Sequence, residues 1–81
     1  MSQSHAERFR TTVAAILGVL PEDVTDQMSP DTVDTWDSLN QINLLGALEQ
    51  EFGVALVVQN PSEHQSIARL KSLLGEHGVT I

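Results

Sequence analysis

The stretch that decides the fold is TWDSLNQINLLGALEQEF, residues Thr35–Phe52. Its apolar side chains recur every three or four residues, which is the spacing of one face of an α-helix. Gly53 follows, and glycine is the usual residue just past a helix end. The pattern therefore predicts a helix that begins at Asp37 or Ser38 and ends at Phe52, with a core stripe of Leu44, Leu45, Leu48 and Phe52.

A second helix is predicted near the start of the chain, from Ser4 to Leu17 or Gly18. Ser4 and Glu7 have the S-x-x-E spacing of a capping box, in which each side chain satisfies a backbone donor of the first turn. The apolar residues that follow at helical spacing are Phe9, Val13, Ile16, Leu17 and Leu20.

A third helix is predicted near the end of the chain. Asn60-Pro61 opens a turn, and Ser62 with Gln65 forms another possible capping pair. We expect a brief helical turn around Ser62–His64 and then a helix to about Leu74, with Gly75 and Gly78 ending it. Its apolar stripe is formed by Ile67, Leu70 and Leu74.

The segments between the helices are predicted to be ordered but irregular. Residues 21–35 are rich in Asp, Ser, Thr and Pro, with Val24, Met28 and Val33 as anchors. Val54–Val58 is apolar, but a lone strand would leave its backbone unpaired, so it is interpreted as a buried connector. The predicted fold class is all-α: one domain over residues 1–81 with short flexible ends, built as a small antiparallel bundle of three main helices plus a short helix.

Composition narrows the possible functions. The 81 residues include 11 acidic and 4 basic side chains and no cysteine, for a net charge of −7. Such a chain is repelled by nucleic acids and anionic membranes, so basic proteins are the expected partners. No apolar run approaches a membrane span or a signal peptide, so we expect a cytoplasmic location. We also expect a monomer. A chain this short favours a binding or carrier module over an enzyme.

Ser38 has two interpretations at the head of the central helix. Ser38 and Gln41 fit the S-x-x-Q pattern, so the serine can serve as a helix cap. The start of a helix also carries unpaired N–H groups and a partial positive charge, which suit a phosphate joined to the serine oxygen. The residue pattern alone leaves both interpretations open.

Asp37-Ser38-Leu39 resembles the D-S-L attachment motif of acyl carrier proteins, and Ala47–Val54, ALEQEFGV, is similar to an A-L-E-x-E-F-G run in the same family. The resemblance covers nearly the whole chain. It implies that Ser38 carries a covalent 4′-phosphopantetheine whose thiol holds acyl groups as thioesters. It also implies a phosphopantetheinyl transferase and acyl-loading and acyl-processing enzymes as partners. It further implies a core that can open to accept an acyl chain between the helices, among Leu44, Leu45, Leu48, Val13 and Ile16.

The expected docking surface surrounds Ser38. Leu39 and Ile42 lie one turn apart, away from the core stripe, and are expected to form an apolar patch. Asp37, Glu49 and Glu51 are expected to add charge. Trp36 is expected to pack the loop against the helices, with a docking role as the alternative.

The sequence departs from much of the family at Asn40 and Asn43, where acidic residues are common. This departure favours a specialised pathway, polyketide or other secondary-metabolite synthesis. The alternatives are an aminoacyl or peptidyl carrier and a carrier for general fatty-acid synthesis.

Functions of other classes fit the residues less well. A serine hydrolase would need a base beside Ser38, and no G-x-S-x-G motif surrounds it. His5, His64 and His77 are too dispersed for a zinc site. Asp31, Asp34 and Asp37 lack the spacing of an EF-hand calcium loop, so no metal is expected. A helical adaptor that is never modified stays a further alternative.

Overall fold

The computed structural model describes residues 4–56 and 65–81, and these form three α-helices with no strand. The helices are α1 (His5–Leu17), α2 (Ser38–Phe52) and α3 (Ile67–Glu76). A 3₁₀ turn at Pro21–Asp23 lies in the long connection between α1 and α2. The predicted all-α class is confirmed. The helical turn expected at Ser62–His64 lies outside the described residues.

The ends of α1 are the predicted ones. The Ser4 hydroxyl accepts a hydrogen bond from the backbone N–H of Glu7, and Gly18 closes the helix with a positive φ of 72°. Because the chain turns away there, Leu20 does not continue the helical face. Its side chain is 57% exposed, so its predicted place in the apolar stripe is wrong.

Helices α1 and α2 are antiparallel neighbours. Near the start of α1, Arg8 pairs with Glu51 near the end of α2, with Nε and Oε2 2.8 Å apart. At the other end, the Thr35 hydroxyl, just before α2, donates to the carbonyl of Leu17 at 2.7 Å. The two contacts show that the start of α2, with Ser38, lies beside the end of α1.

Helix α3 closes the bundle and returns the chain to the start of α1. Ser66 caps it by accepting from the N–H of Arg69. The capping pair predicted for Ser62 and Gln65 involves a position outside the described residues. The helix runs past Gly75, contrary to the prediction, and ends at Glu76, two residues before Gly78, whose φ is 85°. Beyond it, the carbonyl of Thr80 hydrogen-bonds to the imidazole Nδ1 of His5.

The long connection is ordered by the anchors that the sequence predicts. Val24 and Met28 are buried, and Val33 packs against the core. The Met28 carbonyl also accepts from the N–H of Ile67, and Lys71 pairs with Asp26 at 2.6 Å. These two contacts join the long connection to α3.

The core is almost wholly aliphatic. Side chains from all three helices meet in one cluster, and the fully buried ones include Phe9, Val13, Leu44, Leu48, Ile67, Leu70 and Leu74. Of the predicted buried connector, Leu56 is buried and Val54 packs against the core, but Ala55 is exposed. Positions 57 and 58 lie outside the described residues.

Candidate functional site

Ser38 is the first residue of α2 and is exposed. The cap before it is Asp37, whose Oδ1 accepts from the N–H of Asn40 at 2.8 Å. The Ser38 hydroxyl makes no hydrogen bond within residues 4–56 and 65–81. The interpretation of Ser38 as the helix cap is therefore wrong, because an aspartate one position earlier already satisfies the backbone donor.

Gln41, predicted to complete a capping box with Ser38, has a different role. It is 1% exposed, and its Oε1 accepts a hydrogen bond of 2.7 Å from the indole Nε1 of Trp36. Trp36 is itself 2% exposed. The packing role predicted for the tryptophan is confirmed, and the amide beneath it is a feature that sequence reasoning missed.

A second side-chain bond lies on the outer side of the same junction. The amide Nδ2 of Asn40 donates to the carbonyl of Thr35 at 2.7 Å. Asn43, one turn further along, donates from its Nδ2 to Oδ1 of Asn40 at 3.1 Å. Of these two uncharged residues that depart from the family pattern, Asn40 thus holds the loop end against the first turn of α2, whereas Asn43 bonds within the helix.

The apolar pair predicted for docking is exposed. Leu39 is 67% and Ile42 58% accessible, and both stand in the first two turns of α2, next to Ser38. At 100° per residue, Gly46 falls on the same outward face as Leu39 and Ile42. Apart from its chain neighbours and the nearby helix backbone, no heavy atom lies within 4 Å of where a Cβ on Gly46 would stand, and Gly46 is exposed, so this part of the helix is open to solvent.

The acidic residues predicted for docking already have intramolecular partners. Glu49 accepts from the N–H of Leu56 at 3.2 Å, and Glu51 holds Arg8 through both its carboxylate and its carbonyl. Asp37 is engaged as the cap. Of the five residues predicted for docking, Asp37, Leu39 and Ile42 lie at the same end of α2 as Ser38, whereas Glu49 and Glu51 lie near its other end.

Open grooves on the described part of the surface include two that Ser38 does not line. One, of about 490 Å³, is lined by Glu7, Arg10, Thr11, Pro21, Glu22 and Val24. The other, of about 460 Å³, lies between α1 and α2 and includes Ala15, Ile16 and Ala47 in its lining. Of the residues expected to part around an acyl chain, Ile16 lines this second groove, whereas Val13, Leu44, Leu45 and Leu48 are buried.

The described part of the chain holds neither a cluster of metal ligands nor a helix that could span a membrane. Over residues 4–56 and 65–81, no three side chains among His, Cys, Asp and Glu gather closely enough to hold a metal ion. None of the helices described there has the length and apolar character needed to cross a membrane.

The chain belongs to the phosphopantetheine-attachment family of carrier domains. The family profile described as "Phosphopantetheine attachment site" matches residues 7–74. Over 75 residues, 93% of this chain, the sequence is 36% identical to Erythronolide synthase EryA3 of Saccharopolyspora erythraea, and it spans 2% of that synthase. The family predicted from Asp37-Ser38-Leu39 is confirmed. Because covalent attachment of 4′-phosphopantetheine defines the family, the predicted cofactor is confirmed too.

Proposed function

We propose that Ser38 carries 4′-phosphopantetheine and that the chain presents acyl intermediates to partner enzymes as thioesters. The observation that carries this proposal is the exposed serine hydroxyl at the first position of α2, relieved of capping by Asp37. The thiol of the bound arm supplies the acyl-carrying chemistry, which explains how a chain without cysteine can form thioesters.

The residues at the start of α2 fit the group. A phosphodiester on Ser38 Oγ would stand beside the first N–H groups of a 15-residue helix, where the macrodipole favours negative charge. In the attachment reaction, Ser38 Oγ bonds to the phosphorus of coenzyme A that bears the pantetheine. The pyrophosphate bond breaks, 3′,5′-ADP leaves, and the hydroxyl proton passes to a base of the transferase.

The chain has a passive role in that reaction and afterwards. His5 packs edge-on against Phe52, at the far end of α2 from Ser38, a helical rise of roughly 20 Å away. His77 is held by the carbonyl of Leu73. Neither of these contacts involves Ser38, and His64 lies outside the described residues. We propose that the chain is not itself an enzyme and that its partners supply acids, bases and oxyanion sites.

The proposed pathway is a specialised one, of the polyketide or another secondary-metabolite type. Two observations support it: the likeness to a carrier segment within Erythronolide synthase EryA3, and the uncharged Asn40 and Asn43 on α2. An aminoacyl or peptidyl carrier and a general fatty-acid carrier are the alternatives. The expectations of one domain over residues 1–81, a monomer and a cytoplasmic location remain predictions.

Docking is proposed to use the face of α2 beside Ser38. Leu39 and Ile42 would supply apolar contact and Asp37 a charge. Glu49 and Glu51 would contribute only long-range attraction, because their carboxylates are already bonded within the chain. A net charge of −7 would speed encounter with a basic partner surface.

The test is attachment in vitro, with a broad-specificity phosphopantetheinyl transferase, coenzyme A and magnesium. Trypsin is a poor choice for locating the group, because residues 11–69 contain no internal Lys or Arg and hold four serines. Cleavage before Asp and after Glu releases Asp37–Glu49, in which Ser38 is the sole hydroxyl side chain. The proposal predicts one phosphopantetheinyl group on this peptide; a group on any other peptide would contradict it.

A further inference from the structure

Two side-chain hydrogen bonds straddle Ser38, and each joins residues five positions apart. The inner bond, from Trp36 to Gln41, is buried. The outer bond, from Asn40 to the Thr35 carbonyl, lies at the surface. Together they tie the last two loop residues before Asp37 to the first turn of α2.

The outer bond is one of two hydrogen bonds that connect Asn40 through Thr35 to α1, and we call these two bonds the relay. Thr35 accepts from Asn40 through its carbonyl, and its own hydroxyl donates to the carbonyl of Leu17, the last residue of α1. Asn40 also gives its backbone N–H to the Asp37 cap. Asn40 thus holds the residue before Ser38 with its main chain and the loop with its side chain.

These hydrogen bonds affect how a partner enzyme recognises Ser38. An enzyme that modifies Ser38 must bind the loop end and the helix start as one surface, and a loop that is free to move must first be ordered at an entropic cost. The Asn40 bond removes part of that cost before binding. Its loss would therefore weaken recognition of the carrier and leave the chemical step intact.

We propose that Asn40 is a positioning residue for the modification of Ser38, acting through the Thr35 carbonyl. The inference rests on the proposed function, since it presumes that Ser38 is the attachment site. It also accounts for the amide at a position where the family often has an acid. A carboxylate cannot donate to a carbonyl, so aspartate at position 40 would break the bond that asparagine makes.

The test compares Asn40→Ala with Asn43→Ala as acceptor substrates for the transferase. Both variants lose an amide from α2 and gain helix propensity, but only Asn40 contacts the loop. We expect KM for Asn40→Ala to rise about two- to tenfold, the worth of one hydrogen bond, with kcat within about twofold of the parent. Asn43→Ala should match the parent within about twofold in both constants.

A charge-matched pair separates hydrogen bonding from electrostatics. Asn40→Asp and Asn43→Asp add the same charge three residues apart, and only the first should raise KM as Asn40→Ala does. Thr35→Val removes the hydroxyl bond to Leu17, so its effect and that of Asn40→Ala should be less than additive, because both act on one relay.

Circular dichroism melting first establishes that each variant is folded. An unchanged KM in folded Asn40→Ala, an equal rise in Asn43→Ala, or a loss confined to kcat would each overturn the proposal. Failure of the parent to accept the group at all would instead contradict the proposed function, so the two failures are distinguishable.

Discussion

The indole Nε1 of Trp36 donates a 2.7 Å hydrogen bond to Oε1 of Gln41, and both side chains are almost completely buried. Between these two residues stand Asp37 and Ser38, the cap and the proposed attachment site. The buried pair therefore fixes the loop to α2 from the inside while Ser38 faces solvent.

Breaking the buried pair should destabilise the fold. Gln41→Leu keeps the bulk but leaves the indole N–H without this acceptor, at a cost of about 1 to 3 kcal/mol. Trp36→Phe alone should also destabilise, through lost packing. Because Gln41 makes a further interaction, the pair is isolated by a double-mutant cycle in urea unfolding. Trp36→Phe should cost less in the Gln41→Leu background; equal costs in both backgrounds would show that the bond contributes nothing.

Removing the cap should shorten or weaken α2. Asp37→Ala deletes the acceptor for the N–H of Asn40 and should cost about 1 kcal/mol, or a fall of roughly 4 to 8 °C in Tm. Asp37→Asn keeps a good cap and should melt within a few tenths of a kcal/mol of the parent. If thermal melts showed the same loss for both variants, the charge of Asp37 and not its capping bond would be responsible.

Substitution by alanine should change the free energy of unfolding in opposite directions at two glycines of α2 and its end. Gly46 is inside α2 with open space around it, so Gly46→Ala should stabilise by up to about 1 kcal/mol. Gly53 ends the helix with a φ of 65°, so Gly53→Ala should destabilise by roughly 1 to 2 kcal/mol. Chemical unfolding of the two variants side by side measures both. A loss of stability in Gly46→Ala would mean that its backbone is not ordinary helix.

Placing a charge in the apolar patch should impair docking. Ile42→Asp should slow transfer to Ser38 more than a rise from low to physiological salt does, because salt screens only the charged part of recognition. Gln50→Asp puts the same charge on an exposed position of α2 two turns away and is the matched control. Both variants must melt like the parent. A folded Ile42→Asp that reacts at the parental rate, while salt alone stops the reaction, would show that recognition is electrostatic.

The helices could be predicted from the sequence because their signals are local. Helix α1 begins after Ser4 and ends before Gly18, which are residue types typical of the two helix ends. The apolar spacing of α2 correctly predicted that Leu44, Leu45 and Leu48 are buried. The same local rules misplaced Leu20 and Gly75. A helix end depends on where the chain must turn to pack, and apolar spacing alone does not contain that information.

The candidate site was only half predictable. Asp37-Ser38-Leu39 gives the serine that we propose as the attachment site, but the pattern could not decide whether the helix begins at Asp37 or Ser38, and so which of them is the cap. The pairing of Trp36 with Gln41 depends on burial from both sides of the junction. The two residues are five positions apart, and helical periodicity predicts contacts only between residues three or four positions apart.

The most direct test of the central claim is the intact mass of the parent and of Ser38→Ala after the same incubation with transferase, coenzyme A and magnesium. Ser38 is exposed and its hydroxyl makes no hydrogen bond within the described residues, so the substitution should leave the melting temperature nearly unchanged. We expect the parent to gain one phosphopantetheinyl group and folded Ser38→Ala to gain none. A group that persists in Ser38→Ala, or a parent that stays unmodified with every broad-specificity transferase tried, would contradict the assignment of Ser38 as the attachment site.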